Sequence, residues 1–276
     1  MISIITAIRN GFQVNRLFYD YIAKYTYHPY ELIIVDNNSH CGSKEFFLSK
    51  GARVISNYGN FSYPYSQNQG LAIAKYNYLC FLNNDIIVSP YWDKHLIESM
   101  QVNDLDVISG CGVENMGSFS MTRRYSRKWK RIKNLLSIFG TSTINLITMH
   151  RLMYGNWEKF CKKIYDTNKF KVIEGIVGNN VIMTRQAVEI LGKWDERIQG
   201  ADFDLFMRTK QRSITFGDIR PCHIALDVYI HHYIRLTLRR NKGKITYVDK
   251  GNLINLNDKW TTAELESLHP DNALGE

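Results

Sequence analysis

The 276-residue chain has only five cysteines, at 41, 80, 111, 161 and 222, and no two of them form a CxxC pair. Such wide spacing supplies neither a zinc cluster nor a disulfide framework and predicts a reducing compartment. Cys80 and Cys111 lie in apolar context and are expected as buried thiols. No run of strongly apolar residues is long enough for a conventional transmembrane helix. The opening MISIITAIRN is a strand pattern without a basic-then-apolar leader, which argues against a secretory signal peptide. No GxGxxG follows the first apolar segment, and neither GxxxxGK(S/T) nor GxSxG occurs, so the usual dinucleotide loop, P-loop and serine-hydrolase elbow are excluded. Internal repeats and low-complexity tracts are also lacking.

What is present fits a folded globular protein. Hydrophobic residues make up 45% and charged residues 22%, which excludes wholesale disorder. The length suits one large α/β domain, or one domain with a small appendage. The formal charge of +9 is uneven: residues 115–172 hold thirteen Lys or Arg against two acids, and everything else sums to −2. Such a basic segment attracts anions without naming them.

The patterning predicts strands at 2–8, 31–35, 53–55, 78–82, 106–110 and 181–184, with further strands at 214–216 and 226–230. Helices are expected over 12–26, 66–77, 91–102 and 186–191, and another from 202. Apolar strands without clean alternation, separated by helical patterns, point to a mostly parallel sheet covered on both faces. Ligands then bind beyond the carboxyl ends of the strands. Asp36 and Asp85 each fall at such an end, so two polar interruptions would open on one crevice.

Within the basic segment, RRYSRKWKRIK (123–133) has seven basic residues, whereas LLSIFGTSTINLITM (135–149) has no charge. The pair fits a helical flap packed on the domain or on a second subunit, or a peripheral membrane contact. Nucleic acid is not expected, because no zinc, helix-turn-helix or RNA-binding frame accompanies the charge. The last 40 residues are polar and predict a loosely packed tail.

Three groups of residues could carry chemistry. In CFLNNDIIVSP (80–90), Asp85 follows Asn83 and Asn84 at a strand end. These hard oxygen ligands suit Mg²⁺ or Mn²⁺ completed by substrate phosphates, or else they form an Asx-type turn. In GADFDLFMR (200–208), Asp202 and Asp204 either cap a helix or supply a general base. In YIHHY (229–233), His231 and His232 face opposite ways on a strand, so at most one can address a given site.

In their order, ISIITAIRN, ELIIVDNNS, SQNQGLAIAKYNYLCFLNNDIIVSP, EGIVGNNVIMTR, KWDERIQGADFDLFMR and YIHH resemble the family 2 glycosyltransferases of the GT-A fold. The resemblance covers 2–110 and 172–232 and is nearest to bacterial rhamnosyl- or galactosyl-type enzymes of surface polysaccharide synthesis. It implies a nucleotide-sugar-binding half at 1–110, an insertion at 111–172, an acceptor half at 173–235 and a tail at 236–276. It also implies that Thr6, Ala7, Arg9, Asp36, Asn68, Asn84 and Asp85 meet the donor, with Asp36 on a uracil or thymine base. Asp85 would hold Mn²⁺ or Mg²⁺ with His231, or less favourably His232. Asp202 would be the base of an inverting hexosyl transfer, while Asp204 and Arg208 organise its helix. Asn83 and Ala201 stand where relatives carry acids, and Gln67 where they often carry Arg. The implied partners are a UDP- or dTDP-sugar and a glycan or lipid-linked saccharide acceptor. Membrane contact would run through 120–150 at the cytoplasmic face, and a homo-oligomer is compatible with the sequence. The rivals are a sugar-phosphate nucleotidyltransferase, disfavoured by the sparse AIRNGFQ after the first strand, and a non-catalytic scaffold of the same fold.

Overall fold

The computed structural model describes residues 1–234 and 246–268. Residues 235–245 and 269–276, which include parts of the expected tail, lie outside them. An eight-stranded sheet is ordered β3-β2-β1-β4-β8-β6-β9-β7. Its strands are β1 (Ile2–Ile8), β2 (Tyr30–Asp36), β3 (Arg53–Ser56), β4 (Tyr78–Leu82), β6 (Val107–Cys111), β7 (Val172–Glu174), β8 (Asn180–Thr184) and β9 (His223–Tyr229). Only β8 and β7 run against the others, so the sheet is mixed and mostly parallel. A two-stranded ribbon pairs β5 (Ile86–Ile87) with β10 (His231–His232).

Period-two alternation divides the strand residues between two cores. Ile2, Ile4, Ile8, Cys80, Leu82 and Ile182 pack on one face. Ile5, Leu79, Phe81, Val181 and Met183 pack on the other. The first face is covered by α1 (Phe12–Tyr25), α4 (Trp92–Val102) and the insertion. The second is covered by α3 (Tyr63–Ile73), α8 (Arg185–Leu191) and α9 (Ala201–Phe216). A short α2 (Ser43–Ser49) packs beside β3. In α1 the buried Val14, Leu17, Phe18, Ile22 and Tyr25 form one stripe at helical spacing. Gly70 lets α3 lie close on β1, since a Cβ there would stand 2.3 Å from the Ile5 Cγ2.

The insertion folds as α5 (Phe119–Leu136), a 3-10 turn (Ser137–Phe139), α6 (Thr143–Tyr154) and α7 (Trp157–Asn168). Side chains of Ser118, Ser142 and Asn156 cap the three helices. Trp129 is buried beside His231 and Tyr233, and the Lys133 Nζ donates to the Ile234 carbonyl at 3.1 Å. The insertion is thus packed on the domain through β10, as the flap reading expected.

Two expectations are corrected. Residues 214–216 complete α9 rather than form a strand; Ile214 and Phe216 are exposed, and Gly217 ends the helix in the left-handed conformation. Their β-branched and aromatic character imitates a strand locally. The tail is not loose at 246–268, which contains α10 (Leu256–Lys259) and α11 (Thr262–Ser267). Trp260 is buried and donates through its Nε1 to Asp204 at 3.0 Å, and Lys259 bridges Asp195 and Asp204. No helix among the described residues is long and apolar enough to cross a membrane.

Candidate active site

Parallel strands β1, β2 and β4 end together, and their polar residues collect there. Thr6 is fully buried near the end of β1, with its Oγ1 lacking any hydrogen-bond partner. Ala7 is half-buried beside it, and Arg9 is exposed just past the strand. Asp36 closes β2, buried, accepting the Ser39 backbone N–H at 3.1 Å. Both amide atoms of the buried Gln67 also lack partners. Buried polar atoms are almost always satisfied in folded proteins. Such orphans are not confined to this end of the sheet, since Trp129, His150, Trp194, Arg208 and His231 carry others, but Thr6 places one near the end of β1.

Asp85 follows β4 in the turn to β5. His232, on the paired β10, places its Nε2 3.2 Å from the Asp85 carboxylate and its Nδ1 2.5 Å from Glu114. Burial opposes charge on this imidazole, but Asp85 and then Glu114 outweigh it and push its pKa up to about 10. Burial likewise favours neutral Asp85, but the imidazolium wins and holds that carboxyl below its ordinary range. Asn179 donates to Glu114 at 3.1 Å and completes the chain.

Asp202 lies in the first turn of α9 and shares a cavity of about 310 Å³ with Tyr63, Asn83, Glu114, Gly178, Asn179, Gln199 and His232. Burial raises its pKa, partly offset by the backbone N–H groups of Phe203 and of Asp202 itself. No side chain among the described residues pairs with it. Tyr63 points a buried, unpartnered hydroxyl into the same region, its pKa raised by burial and then by the Asp202 charge. A carboxylate left unpaired, partly dried and raised in pKa can accept a proton.

Gly178 closes the cavity behind Asp202. A Cβ on this residue would meet the Asp202 Oδ2 at 2.0 Å, an impossible contact. Gly178→Ala must therefore displace the carboxylate. The added Cβ would also meet the Asp202 Cβ at 2.6 Å, so the start of α9 must shift. The expected result is a lowered thermal melt with turnover reduced on the order of 10²-fold, the effect of about 1 Å of misplacement. A steady-state transfer assay checks it, and the substitution should add little in a chain already lacking Asp202.

The structure reassigns three of the expected residues. His231 turns away from Asp85 into an aromatic box, its Nδ1 2.8 Å from the Tyr154 hydroxyl, so His232 takes the place expected of it. Asn68 is engaged within the chain itself. Its amide clamps the Trp194 backbone at 2.9 and 3.1 Å and Glu196 at 2.8 Å. Asn84 ties the Asp85 turn to α1 by donating to the Asn15 Oδ1 at 2.6 Å. Asn83 does line the cavity. Asp204 and Arg208 pair at 2.9 Å beneath it, with Arg208 also donating to the Leu191 carbonyl. Tyr63 and Glu114 were not singled out from the sequence. Gly178 is legible in the sequence as the glycine of GNN (178–180), a strand-approach position, but without a link to Asp202.

Among the described residues, no three His, Cys, Asp or Glu converge to hold a metal ion. The donor set of Asp85 and Asn83, with His232 able to join only after losing its proton, is too sparse for a self-sufficient site. Its chemistry fits a divalent cation that arrives with phosphate oxygens completing the shell.

The chain matches Glycosyl transferase family 2 over residues 3–191 and belongs to that family. Among solved structures, it is similar to the mannosyltransferase PcManGT from Pyrobaculum calidifontis, in complex with GDP-Man and Mn²⁺, with a TM-score of 0.55 at 12% identity. The match covers 84% of this chain and 56% of that one, and the likeness is one of fold. No curated protein gives a significant match. The sheet is accordingly of the GT-A type.

Proposed function

We propose that this family 2 glycosyltransferase transfers a hexosyl group with inversion from a UDP- or dTDP-sugar to a hydroxyl of a glycan or lipid-linked saccharide. A bacterial surface polysaccharide is the intended product class. One observation carries the reading: Asp202 stands unpaired, with a raised pKa, in the same cavity as the His232 that touches Asp85. The base and the diphosphate end of the site thus share one small space.

Asp36 accepts the imide N–H of the base, and Thr6, Ala7 and Arg9 border the nucleoside. Mn²⁺ or Mg²⁺, held by Asp85 with the donor's phosphate oxygens and by His232 once the cation displaces its proton, would neutralise charge on the leaving diphosphate. The Mn²⁺ in the similar mannosyltransferase structure supports that choice. Asp202 takes the proton of the acceptor hydroxyl as its oxygen bonds to the anomeric carbon. The bond from that carbon to the diphosphate breaks, and the nucleoside diphosphate leaves with the electron pair. A single displacement inverts the centre and needs no protein nucleophile.

A thermal-shift screen of nucleotide sugars, with and without Mn²⁺, tests the reading. A UDP- or dTDP-sugar should raise the melting temperature, more so with the metal, and should then be consumed in a transfer assay. Stabilisation without turnover would favour the scaffold reading. Stabilisation by a nucleoside triphosphate with a sugar phosphate would favour the nucleotidyltransferase.

A further inference from the structure

The uncharged segment 135–149 divides its side chains between two surroundings. Leu146 and Met149 are buried against the body, whereas Leu135, Ile138, Phe139 and Ile144 are 68%, 77%, 67% and 80% exposed. The exposed set continues along α6 as Ile147 and Leu152, three and eight residues beyond Ile144. An apolar crest therefore runs over the 3-10 turn and the outer side of α6. Contiguous exposed apolar surface of this kind marks an interaction site.

Beside the crest, Arg123, Arg124, Arg127 and Arg131 line one concave face with Lys128, Ile132 and Leu152, enclosing about 600 Å³. None of the four arginines pairs with a carboxylate among the described residues. Leu152 belongs to both sets, so the cationic face and the apolar crest are continuous.

We propose that the insertion docks the protein onto an anionic lipid bilayer. The crest at Leu135, Ile138, Phe139 and Ile144 would enter the headgroup boundary, and the arginines of α5 would lie over acidic headgroups. Charge complementarity selects this occupant. A second copy docking through the same surface would bring its own insertion, thirteen Lys or Arg against two acids, onto this basic face. Nucleic acid would satisfy the arginines but leave the crest in water. The docking surface is also tied to the catalytic body. Trp129 and Lys133 of α5 hold His231 and Ile234, the residues flanking His232 and Tyr233. A docked insertion therefore fixes the body relative to the bilayer, which suits a lipid-linked acceptor. The docking deepens the proposed acceptor class yet can be tested without any nucleotide.

Vesicle flotation of the full chain, with phosphatidylcholine alone or mixed with phosphatidylglycerol, provides the test. The protein should float with the mixed vesicles and far less with phosphatidylcholine. Removing two charges in R123A/R127A should weaken partition about 30-fold at low salt, and I138D/F139D should abolish it, both with unchanged thermal melts. Absence of flotation with the mixed vesicles would overturn the proposal, as would equal flotation of the variants. Sedimentation velocity supplies the remaining outcome. Concentration-dependent self-association lost in I138D/F139D, without vesicle binding, would assign the crest to a second copy instead.

Discussion

Asp202→Asn is expected to bind donor with near-wild-type affinity and to lose about 10² to 10⁴ of its turnover, the range a positioned general base supplies. The amide keeps the shape and the backbone hydrogen bonds at the start of α9, so the fold is not at stake. What it lacks is the ability to take a proton. The wild-type pH profile should carry the same signature. Burial raises the Asp202 pKa, so the carboxylate protonates at a higher pH than an ordinary aspartate as acid is added. Protonated Asp202 cannot act as a base, so kcat falls as the pH drops through the raised value and recovers above it. That acid limb should vanish from the residual rate of the Asn variant. Near-normal transfer by Asp202→Asn in a steady-state assay would remove Asp202 from the mechanism.

Asp85→Ala should lose metal-dependent binding of the nucleoside diphosphate and on the order of 10³ in turnover, the equivalent of several kcal/mol of charge stabilisation. Two effects combine. The carboxylate is the acidic member of a sparse metal-ligand set, and it also holds His232 in place at 3.2 Å. Without it, the imidazole keeps only Glu114 and the Asn179 amide, both at its Nδ1. Titration calorimetry with the nucleoside diphosphate, in the presence and absence of Mn²⁺, measures the loss. Unchanged metal-dependent affinity would rule out Asp85 as a ligand. The two variants are distinguishable by design, since one should spare donor binding and the other should not.

Much of the sheet was legible because its signals are local. Strands β1, β2 and β4 are short apolar runs, and the interruptions at Asp36 and at Asn83, Asn84 and Asp85 fall where each run ends. Asp202 was legible as a carboxylate opening a helix. The histidines show where local reading stops. Alternation on a strand dictates that His231 and His232 face opposite ways, but it contains no phase. The phase is set by pairing His232 with Ile86 across the ribbon and by the aromatic box that receives His231. Asn68 and Asn84 are short amides in motif-like positions, and nothing local separates a ligand contact from a brace. Their partners Trp194, Glu196 and Asn15 are distant in sequence.

Sequence periodicity and composition determined the α/β class, the covered parallel strands, the strand-end acids and a basic insertion split between charged and uncharged halves. Tertiary structure alone decided that Tyr63, Glu114 and Gly178 close around Asp202, that Trp260 returns to seal Asp204, and which half of 135–149 is left in water. The reason is physical. Backbone periodicity is written between neighbouring residues, whereas a cavity is made by side chains from separate loops whose approach depends on how every intervening element packs.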